Sequence, residues 1–200
     1  MKKTILILGL LLALLPSIGF AQGTNTYIVK PNDTLWKIAV KYQIGVAEII
    51  AANKQIPNPD LIYPDQKINI PNIDQTKGTE NQVLSLVNQE RSKAGLKPLS
   101  MDWEVQRVAR IKACDMQQKG YFSHTSPTYG SPFTMLKQHG INYKSAGENI
   151  AMGQKTPQEV MVSWMNSQGH RANILKPEYT HLGVGYCQQG NYWVQMFISK

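Results

Sequence analysis

A segment rich in turn-forming and polar residues divides this chain into two blocks that must fold around separate cores. The segment is PNIDQTKGTE, residues 71–80, and it interrupts the apolar periodicity on both sides. Proline, glycine and asparagine commonly end regular secondary structure. About fifty residues of the mature chain precede the segment and about one hundred and twenty follow it, so the first block is small for an independent core and the second is ample. We therefore expect two domains, residues 26–71 and 81–200, joined by a linker at 72–80.

Residues 1–21 have the pattern of a secretory signal peptide. Lys2 and Lys3 precede an apolar run, Ile5–Leu15, that is too short to span a bilayer. Gly19 and Ala21 supply the small residues that precede a cleavage site. We expect cleavage after Ala21 and a secreted, soluble mature chain. No second apolar run approaches the length of a membrane span, so no transmembrane anchor is expected.

The basic charge of the chain favours anionic partners. The formal net charge of +8 includes Lys2 and Lys3, so the chain without its leader carries +6. That excess suits an anionic surface such as a bacterial wall rich in phosphate polymers. Ordinary solubility charge is the alternative interpretation. Nucleic acid is not an expected partner, because no dense stripe of lysine and arginine is present and the chain is predicted to be exported.

The two cysteines, Cys114 and Cys187, leave their redox state open at this stage. Cys114 lies in a helical run and Cys187 lies near the end of a strand-like run. An even number of cysteines in an exported chain permits one disulfide. Two buried apolar thiols are the alternative.

The first block has the order strand, helix, helix, strand. TYIVK (26–30) is strand-like, and Asp33 or Thr34 can cap the helix that follows. Apolar residues then recur at helical spacing in LWKIAVKY and again in VAEIIAAN, with Gly45 between the two runs. KINIP alternates as a strand does.

This block resembles the LysM domain along its whole length. The features that carry the resemblance are NDTLWKIA, the AAN after the second helix, and DLIYPDQKINIP. LysM domains bind glycans that contain N-acetylglucosamine, chiefly peptidoglycan or chitin. The resemblance places the glycan groove between the first strand–helix loop and the loop before the last strand. On this sequence the implied glycan-binding residues are Asn32, Asp33, Thr34, Leu35, Leu61, Ile62 and Tyr63.

Two positions depart from the usual LysM pattern, which has glycine where Asn32 and Asp65 stand. Asparagine tolerates the left-handed backbone conformation and aspartate does so less readily. We therefore expect both loops to keep the LysM backbone.

The second block mixes helices with strands. Thr79–Gln82 resembles a capping box that opens a helix, and MDWEVQRVARIKACDMQQKG predicts a second helix ending at Gly120. Ser131–Pro132 opens a short third helix, and AGENIAMG predicts a strand. A second capping box at Thr156–Glu159 opens a helix expected to run to about Ser167. HLGVGYCQQGNYWVQMFIS predicts an antiparallel hairpin, with Trp164 and Trp193 expected in the core.

The second block resembles the CAP superfamily of cysteine-rich secretory, antigen 5 and pathogenesis-related 1 proteins, and is most similar to its bacterial YkwD-type branch. The motifs are LVNQERSKAGLKPL, YFSHTSP, AGENIAMG, SWMNSQGHRANIL and HLGVGYCQQGNYWVQMF. The resemblance implies an α-β-α sandwich. The expected fold class is therefore α+β: a small β-α-α-β LysM domain followed by an α-β-α sandwich CAP domain.

Many CAP proteins line a central cleft with two histidines and two acidic residues. Carried over by motif, the first three positions are His124 in FSHTS, Glu148 in GENIA and His170 in GHRANIL. The second acid normally stands three residues after the helix tryptophan, which is Trp164 here, and that position is Ser167. The implied tetrad is therefore incomplete.

Three readings of the cleft remain open. His124 and His170 can hold a divalent metal, with zinc as the candidate and Glu148 as a third ligand or a base. The cleft can catalyse hydrolysis, although no nucleophile motif is present and paired-carboxylate chemistry lacks its second partner. Or the three side chains form a hydrogen-bonded cluster that orients loops. His181 is interpreted as a rim residue, and His139 as serving the dipole of a helix C-terminus.

The leading hypothesis is a secreted binding protein associated with the cell wall or spore coat. LysM would bind peptidoglycan, and the CAP domain would present a cleft of unassigned ligand, with no required cofactor. A metal-assisted wall hydrolase and a lipid or sterol carrier are the alternatives.

Overall fold

The computed structural model describes residues 23–200, and the predicted signal peptide lies outside them. In residues 23–200 no helix is both long enough and apolar enough to cross a membrane.

The first block folds as a two-stranded sheet with two short helices. Its elements are β1 (Thr24–Ile28), α1 (Leu35–Tyr42), α2 (Val46–Ala51) and β2 (Lys67–Pro71). β1 and β2 pair antiparallel, with Thr26 opposite Asn69. Apolar residues from all four elements form one core, because α1 and α2 turn their apolar faces toward the sheet. The β-α-α-β order predicted from the sequence is confirmed.

The second block contains five helices and four strands. They are α3 (Asp74–Lys93), β3 (Ser100–Met101), α4 (Trp103–Lys119), α5 (Pro132–Gln138), β4 (Ser145–Met152), α6 (Pro157–Met165), α7 (Gln168–Ile174), β5 (His181–Cys187) and β6 (Tyr192–Ser199). The strands form one sheet in the order β3-β5-β6-β4, in which only the β3–β5 pair is parallel.

The sheet lies between two helical layers. One core combines α4 and α5 with Val194, Met196 and Ile198 of β6. The other combines α3, α6 and α7 with Trp193 and Phe197, which alternate with the first set along the same strand. Because successive side chains of a strand point to opposite faces, these two cores lie on the two sides of the sheet. The α-β-α sandwich and the α+β fold class are confirmed, and Trp164 and Trp193 are fully buried as predicted.

Helix α4 packs on β5 with almost no side chains between the two backbones. A Cβ added at Gly183 would overlap the backbone of Val105 and Gln106, and one at Gly185 would overlap the backbone of Ala109 and Arg110. These glycines lie two residues apart, so they share one face of β5. The close approach therefore depends on the absence of side chains at two positions of the HLGVGYC strand.

The predicted start of α3 at Thr79 is wrong, because the helix begins five residues earlier. Asn72 Oδ1 accepts the N–H of Asp74 at 2.9 Å, and Ile73 is buried in the core of the first block. Residues 74–80, assigned to a linker from their composition, are the first turns of α3. Glu80 consequently lies inside the helix, where it is fully buried.

The helix predicted to run to about Ser167 instead ends at Met165, and α7 follows as a separate helix. Ser167 is the N-cap residue of α7. His170 is therefore inside a helix rather than after the end of one.

The two cysteines are joined. The Cys114–Cys187 disulfide spans a Cα–Cα distance of 5.1 Å and links α4 to the last residue of β5. It closes the same helix–strand contact that Gly183 and Gly185 permit.

Substituting Gly185 with alanine is expected to destabilise the fold by about 1–3 kcal/mol or more, because the new methyl group must displace the α4 backbone. Gly78→Ala is the matched control. Gly78 is exposed inside α3 with open space around its Cα, so its substitution should stabilise by roughly 0.4–1 kcal/mol. Urea unfolding of both variants measures the difference. Equal effects at the two positions would contradict the close-packing argument.

Candidate functional site

The two loops that the LysM resemblance selects lie side by side. Val29 N–H donates to Gln66 O at 3.0 Å, and Asp65 N–H donates to Val29 O at 2.9 Å. These bonds join the segment after β1 to the segment before β2. Asn32 and Asp65 have φ of 69° and 67°, so both adopt the left-handed backbone expected where LysM sequences have glycine.

The first loop is held by its own side chains. Thr34 is the N-cap of α1 and its Oγ1 accepts the N–H of Lys37 at 3.1 Å. Asp33 Oδ2 accepts hydrogen bonds from the Tyr27 hydroxyl at 2.7 Å and from Lys30 N–H at 2.8 Å. The capping residue is thus Thr34, and the Asp33 carboxylate orders the loop from within.

The second loop presents apolar side chains to solvent. Leu61 is 51% exposed and Tyr63 is 59% exposed, whereas Ile62 packs partly against the core. Leu35, by contrast, is buried in that core, so its side chain is not available at the surface. The surface formed by Asn32–Thr34 and 61–63 combines ordered polar groups with two exposed apolar side chains. We call it the loop surface.

The CAP cleft is built around a histidine–carboxylate pair. His124 Nδ1 lies 2.7 Å from Glu148 Oε1. The Glu148 side chain is 2% exposed and that of His124 is 55% exposed. The second carboxylate oxygen, Glu148 Oε2, is buried with no hydrogen-bond partner. The cleft therefore combines a solvent-exposed imidazole, that of His124, with a buried hydrogen-bond acceptor, Glu148 Oε2.

Side chains of α4 hold the loop that carries His124. Buried Lys112 donates from Nζ to His124 O at 2.8 Å. The Asp115 carboxylate accepts hydrogen bonds from the hydroxyls of Tyr121, Ser126 and Thr128 at 2.5, 2.7 and 2.9 Å. The loop is pinned on both sides of the histidine, so the position of His124 is fixed by α4.

Two asparagines hold His170 beside the pair. Asn149 is fully buried, and its Nδ2 donates to His170 O at 3.0 Å. Asn173 Nδ2 donates to Asn149 Oδ1 at 2.9 Å and to Glu148 O at 3.3 Å. Since Glu148 and Asn149 are neighbours on edge strand β4, they point to opposite faces of the sheet. The free edge of β4 is thus where the His124 loop and α7 meet.

Arg91 fixes the far end of α7. It is almost completely buried, and its guanidinium donates to the carbonyls of Lys97, Ile174, Lys176 and Tyr179 at 2.8–3.4 Å. These include the last residue of α7. A buried cation on α3 therefore sets where the helix that carries His170 stops.

The surroundings of the two cleft histidines shift their pKa values in opposite directions. The hydrogen bond with Glu148 raises the pKa of His124. Burial lowers the pKa of His170, and the charge of His124 acts in the same direction. Burial raises the pKa of Glu148, while His124 and Lys112 oppose that shift. The two pKa shifts therefore have opposite directions, upward for His124 and downward for His170.

The described residues do not fit a protein-held zinc site. Zinc sites in proteins use three or four protein ligands. Within residues 23–200 no group of three or more His, Cys, Asp and Glu side chains is placed to hold a metal ion. His124 Nδ1 is bonded to Glu148, so only its Nε2 is left for another partner, and His181 lies on β5, separated from β4 by β6.

His139 caps α5, as its position in the sequence suggested. Burial lowers its pKa, and the charge of Arg107 adds to the shift. Its role at the helix C-terminus stays a prediction.

Several residues that build the cleft escaped the sequence analysis. Lys112, Asp115 and Arg91 lie in helical runs where charged residues usually face solvent. Asn149 and Gln195 are polar residues inside apolar strands, and they hydrogen-bond to each other at 3.0 Å while fully buried. That interruption of an apolar strand pattern was the available signal for the last two.

Comparison with known proteins supports both resemblances. Residues 84–197 match the cysteine-rich secretory protein family (CAP), and residues 27–71 match the LysM domain. The chain is 60% identical over 121 residues to the uncharacterized protein YkwD of Bacillus subtilis (strain 168), covering 60% of this chain and 47% of that protein. It is 49% identical over 45 residues to the spore coat assembly protein ExsA of Bacillus cereus, covering 22% of this chain and 7% of that protein.

A solved structure gives the same picture of the fold. An extracellular protein containing a SCP domain from Bacillus anthracis str. Ames is similar with a TM-score of 0.61 and 34% identity, over 68% of this chain and 47% of that one. The chain spans less than half the length of each of these three relatives.

The two cleft histidines are expected to titrate on opposite sides of 6.5, His124 above and His170 below. Glu148→Gln should lower the pKa of His124, because the carboxylate that stabilises the imidazolium is removed. Since the folded pKa of His124 is raised, its contribution to stability is present below the unfolded value and is lost as pH rises through the folded value.

NMR titration of the imidazole nitrogens measures these values. His139 is the internal control, because its pKa responds to Arg107 and Glu48 and should not move in Glu148→Gln. An unchanged His124 pKa in that variant would contradict the hydrogen bond.

Proposed function

Because this chain belongs to the cysteine-rich secretory protein (CAP) family and carries a LysM domain, we propose that it is a secreted, wall-associated glycan-binding protein. The LysM loop surface binds N-acetylglucosamine glycans of peptidoglycan, and the CAP cleft recognises a second ligand. The observation that carries the proposal is the loop surface, where two hydrogen-bonded loops hold Leu61 and Tyr63 in solvent beside ordered polar groups.

The chemistry of that surface suits an acetylated sugar. Loop amides and the hydroxyl of Thr34 can bond to hydroxyl and acetamido groups, while Leu61 and Tyr63 can cover an acetyl methyl group or a sugar face. The positive φ values of Asn32 and Asp65 support the same assignment, because they keep the two loops in the LysM conformation.

Tyr63→Ala, in a chain comprising residues 22–200, is expected to weaken binding to purified peptidoglycan and to chitotetraose about tenfold. The estimate rests on about 1.5–3 kcal/mol for burying such a side chain, where 1.4 kcal/mol is a factor of ten. Co-sedimentation and calorimetry provide the two measurements. Val162→Ala is the control, because Val162 is an equally exposed apolar residue on α6. If wild type and Val162→Ala also fail to bind either glycan, the proposal is wrong.

The net charge should strengthen association with an anionic wall. A single LysM domain contributes one contact, and the excess of lysine adds a diffuse attraction to phosphate polymers. That part of the binding depends on salt, because exposed charges are screened over about 8 Å at physiological ionic strength. Binding to chitotetraose, which is uncharged, should not depend on salt in the same way.

The similarity to the ExsA protein of B. cereus supports the spore coat as one location of this protein. It covers a fraction of this chain comparable to the LysM domain, so it bears on tethering rather than on the CAP cleft. Fluorescence microscopy of a tagged chain in vegetative and sporulating cells separates a wall location from a coat location.

A second candidate function, hydrolysis of the wall polymer, is favoured by the His124–Glu148 pair. Glu148 is buried and its pKa is raised, which are properties of a general acid. Ser167 stands where a second carboxylate would be, so a two-carboxylate mechanism has no second partner at that position. The described residues do not assemble three metal ligands, so no step is assigned to a metal.

Mass spectrometry of soluble fragments released from purified peptidoglycan tests this candidate. Binding without turnover predicts that wild type and Glu148→Gln release equal, background amounts and that both are found in the pellet. Fragments that appear with wild type and disappear with Glu148→Gln would establish hydrolysis. Repeating the assay with zinc and with His170→Ala tests the metal-assisted version.

A further inference from the structure

A groove of about 300 Å³ lies between the two domains, and its lining includes no residue of the loop surface or of the CAP cleft. One wall is formed by α1 and α2 of the LysM domain, and the other by the first turns of α4. Its lining includes Trp36, Val40, Trp103, Glu104 and Arg107. Its volume is at the small end of the range for ligand sites, about 300–1,000 Å³.

Two tryptophans line this interdomain groove. Trp36 is 67% exposed, and Val40, one turn further along α1, is also exposed. Trp103 is the first residue of α4 and is partly exposed. Indole rings usually contribute to a core, and the other two tryptophans of the chain, Trp164 and Trp193, are fully buried. Trp36 and Trp103 are thus the two tryptophans whose rings reach solvent, and they can stack on a flat apolar face.

The groove is held in shape by contacts across the domain boundary. Arg107 Nε and Nη2 donate to Glu48 Oε1 and Oε2 at 2.9 and 3.0 Å, a bidentate ion pair between α4 and α2. A Cβ at Gly45 would overlap both partners of that pair. Lys77 Nζ adds a bond to Tyr42 O at 2.7 Å. A site fixed before binding loses less conformational entropy when a ligand enters.

The charges of the groove favour a neutral ligand with both polar and apolar faces. Arg107 and Glu48 neutralise one another, which leaves one exposed carboxylate, that of Glu104. A purely apolar ligand would leave that carboxylate facing an apolar group, and an anion would be repelled by it. A pyranose ring with an acetamido group satisfies both requirements, since its C–H face packs on indole and its hydroxyls reach the charged groups.

The groove also begins close to the loop surface along the chain. Thr34, at the loop surface, is the N-cap of α1, and Trp36 lies in the first turn of the same helix, about 200° around its axis from Thr34. A glycan that extends beyond the loops must pass around the N-terminal turn of α1 to contact Trp36. We propose that the interdomain groove is a second subsite for the same N-acetylglucosamine glycan, an assignment that rests on the proposed glycan-binding function.

Tryptophan fluorescence reports on this groove selectively, because the chain has four tryptophans and the two outside the groove are buried. Titration of the chain of residues 22–200 with chitohexaose should shift the emission and reduce quenching by acrylamide. Trp36→Ala should weaken binding of chitohexaose about two- to tenfold, as expected for loss of one aromatic contact. Chitobiose, which is too short to occupy both subsites, should bind wild type and Trp36→Ala equally.

Three comparisons separate this inference from the proposed function. If wild type binds neither sugar, both the proposed function and the second subsite are wrong. If wild type binds chitohexaose, Tyr63→Ala weakens that binding, and Trp36→Ala leaves both affinity and fluorescence unchanged, the second subsite alone is overturned. If Trp36→Ala changes the sedimentation coefficient instead, the groove is a contact between two copies and the subsite is likewise overturned.

Two further variants control for folding. Trp36→Phe keeps an aromatic face and should retain most of the affinity, whereas a general loss of structure would affect both substitutions. Val162→Ala removes an exposed apolar side chain on α6 and should leave chitohexaose binding and the fluorescence shift unchanged.

Discussion

Helix α4 and strand β5 approach each other at backbone distance, and most of the molecule is arranged around that contact. Gly183 and Gly185 allow it, and the Cys114–Cys187 disulfide closes one end. The face of α4 that contacts β5 lies against these two glycines, so the polar side chains of α4 extend from its other faces. Eleven residues of the helix are buried, and four of them have polar or charged side chains: Gln106, Arg110, Lys112 and Asp115.

Those polar residues, together with Arg107, connect α4 to three other parts of the chain. Arg110 and Gln106 bond to the fully buried Glu80 of α3, with Arg110 Nε and Gln106 Nε2 each at 2.8 Å from a carboxylate oxygen. Arg107 reaches Glu48 in the LysM domain, while Lys112 and Asp115 hold the loop of His124. Removing one partner of a buried pair leaves an uncompensated charge, which costs about 3–5 kcal/mol. One helix thus couples the LysM domain, the α3 layer and the cleft.

Sequence reasoning succeeded where a local rule sets the structure. Thr34, Ser131 and Thr156 cap the helices they precede, and Asn32 adopts the left-handed backbone of the glycine it replaces. It failed where distant contacts override local signals. The capping pattern at Thr79 predicted a helix start there, but α3 begins at Asp74, because Ile73 packs in the LysM core and Glu80 pairs with Arg110. Such pairings across the chain leave no periodicity to read.

The groups around Ser167, where the second carboxylate of the CAP tetrad would stand, determine the charge of the cleft. Ser167 caps α7 without a side-chain hydrogen bond, so that corner of the cleft contributes no negative charge. On the other side, Lys112 places a buried cation near Glu148, where its charge acts on the carboxyl group. The cleft therefore contains an internal cation and lacks one of the two acids that would attract an external one. Its geometry is set by hydrogen bonds from Asn149, Asn173 and the polar side chains of α4.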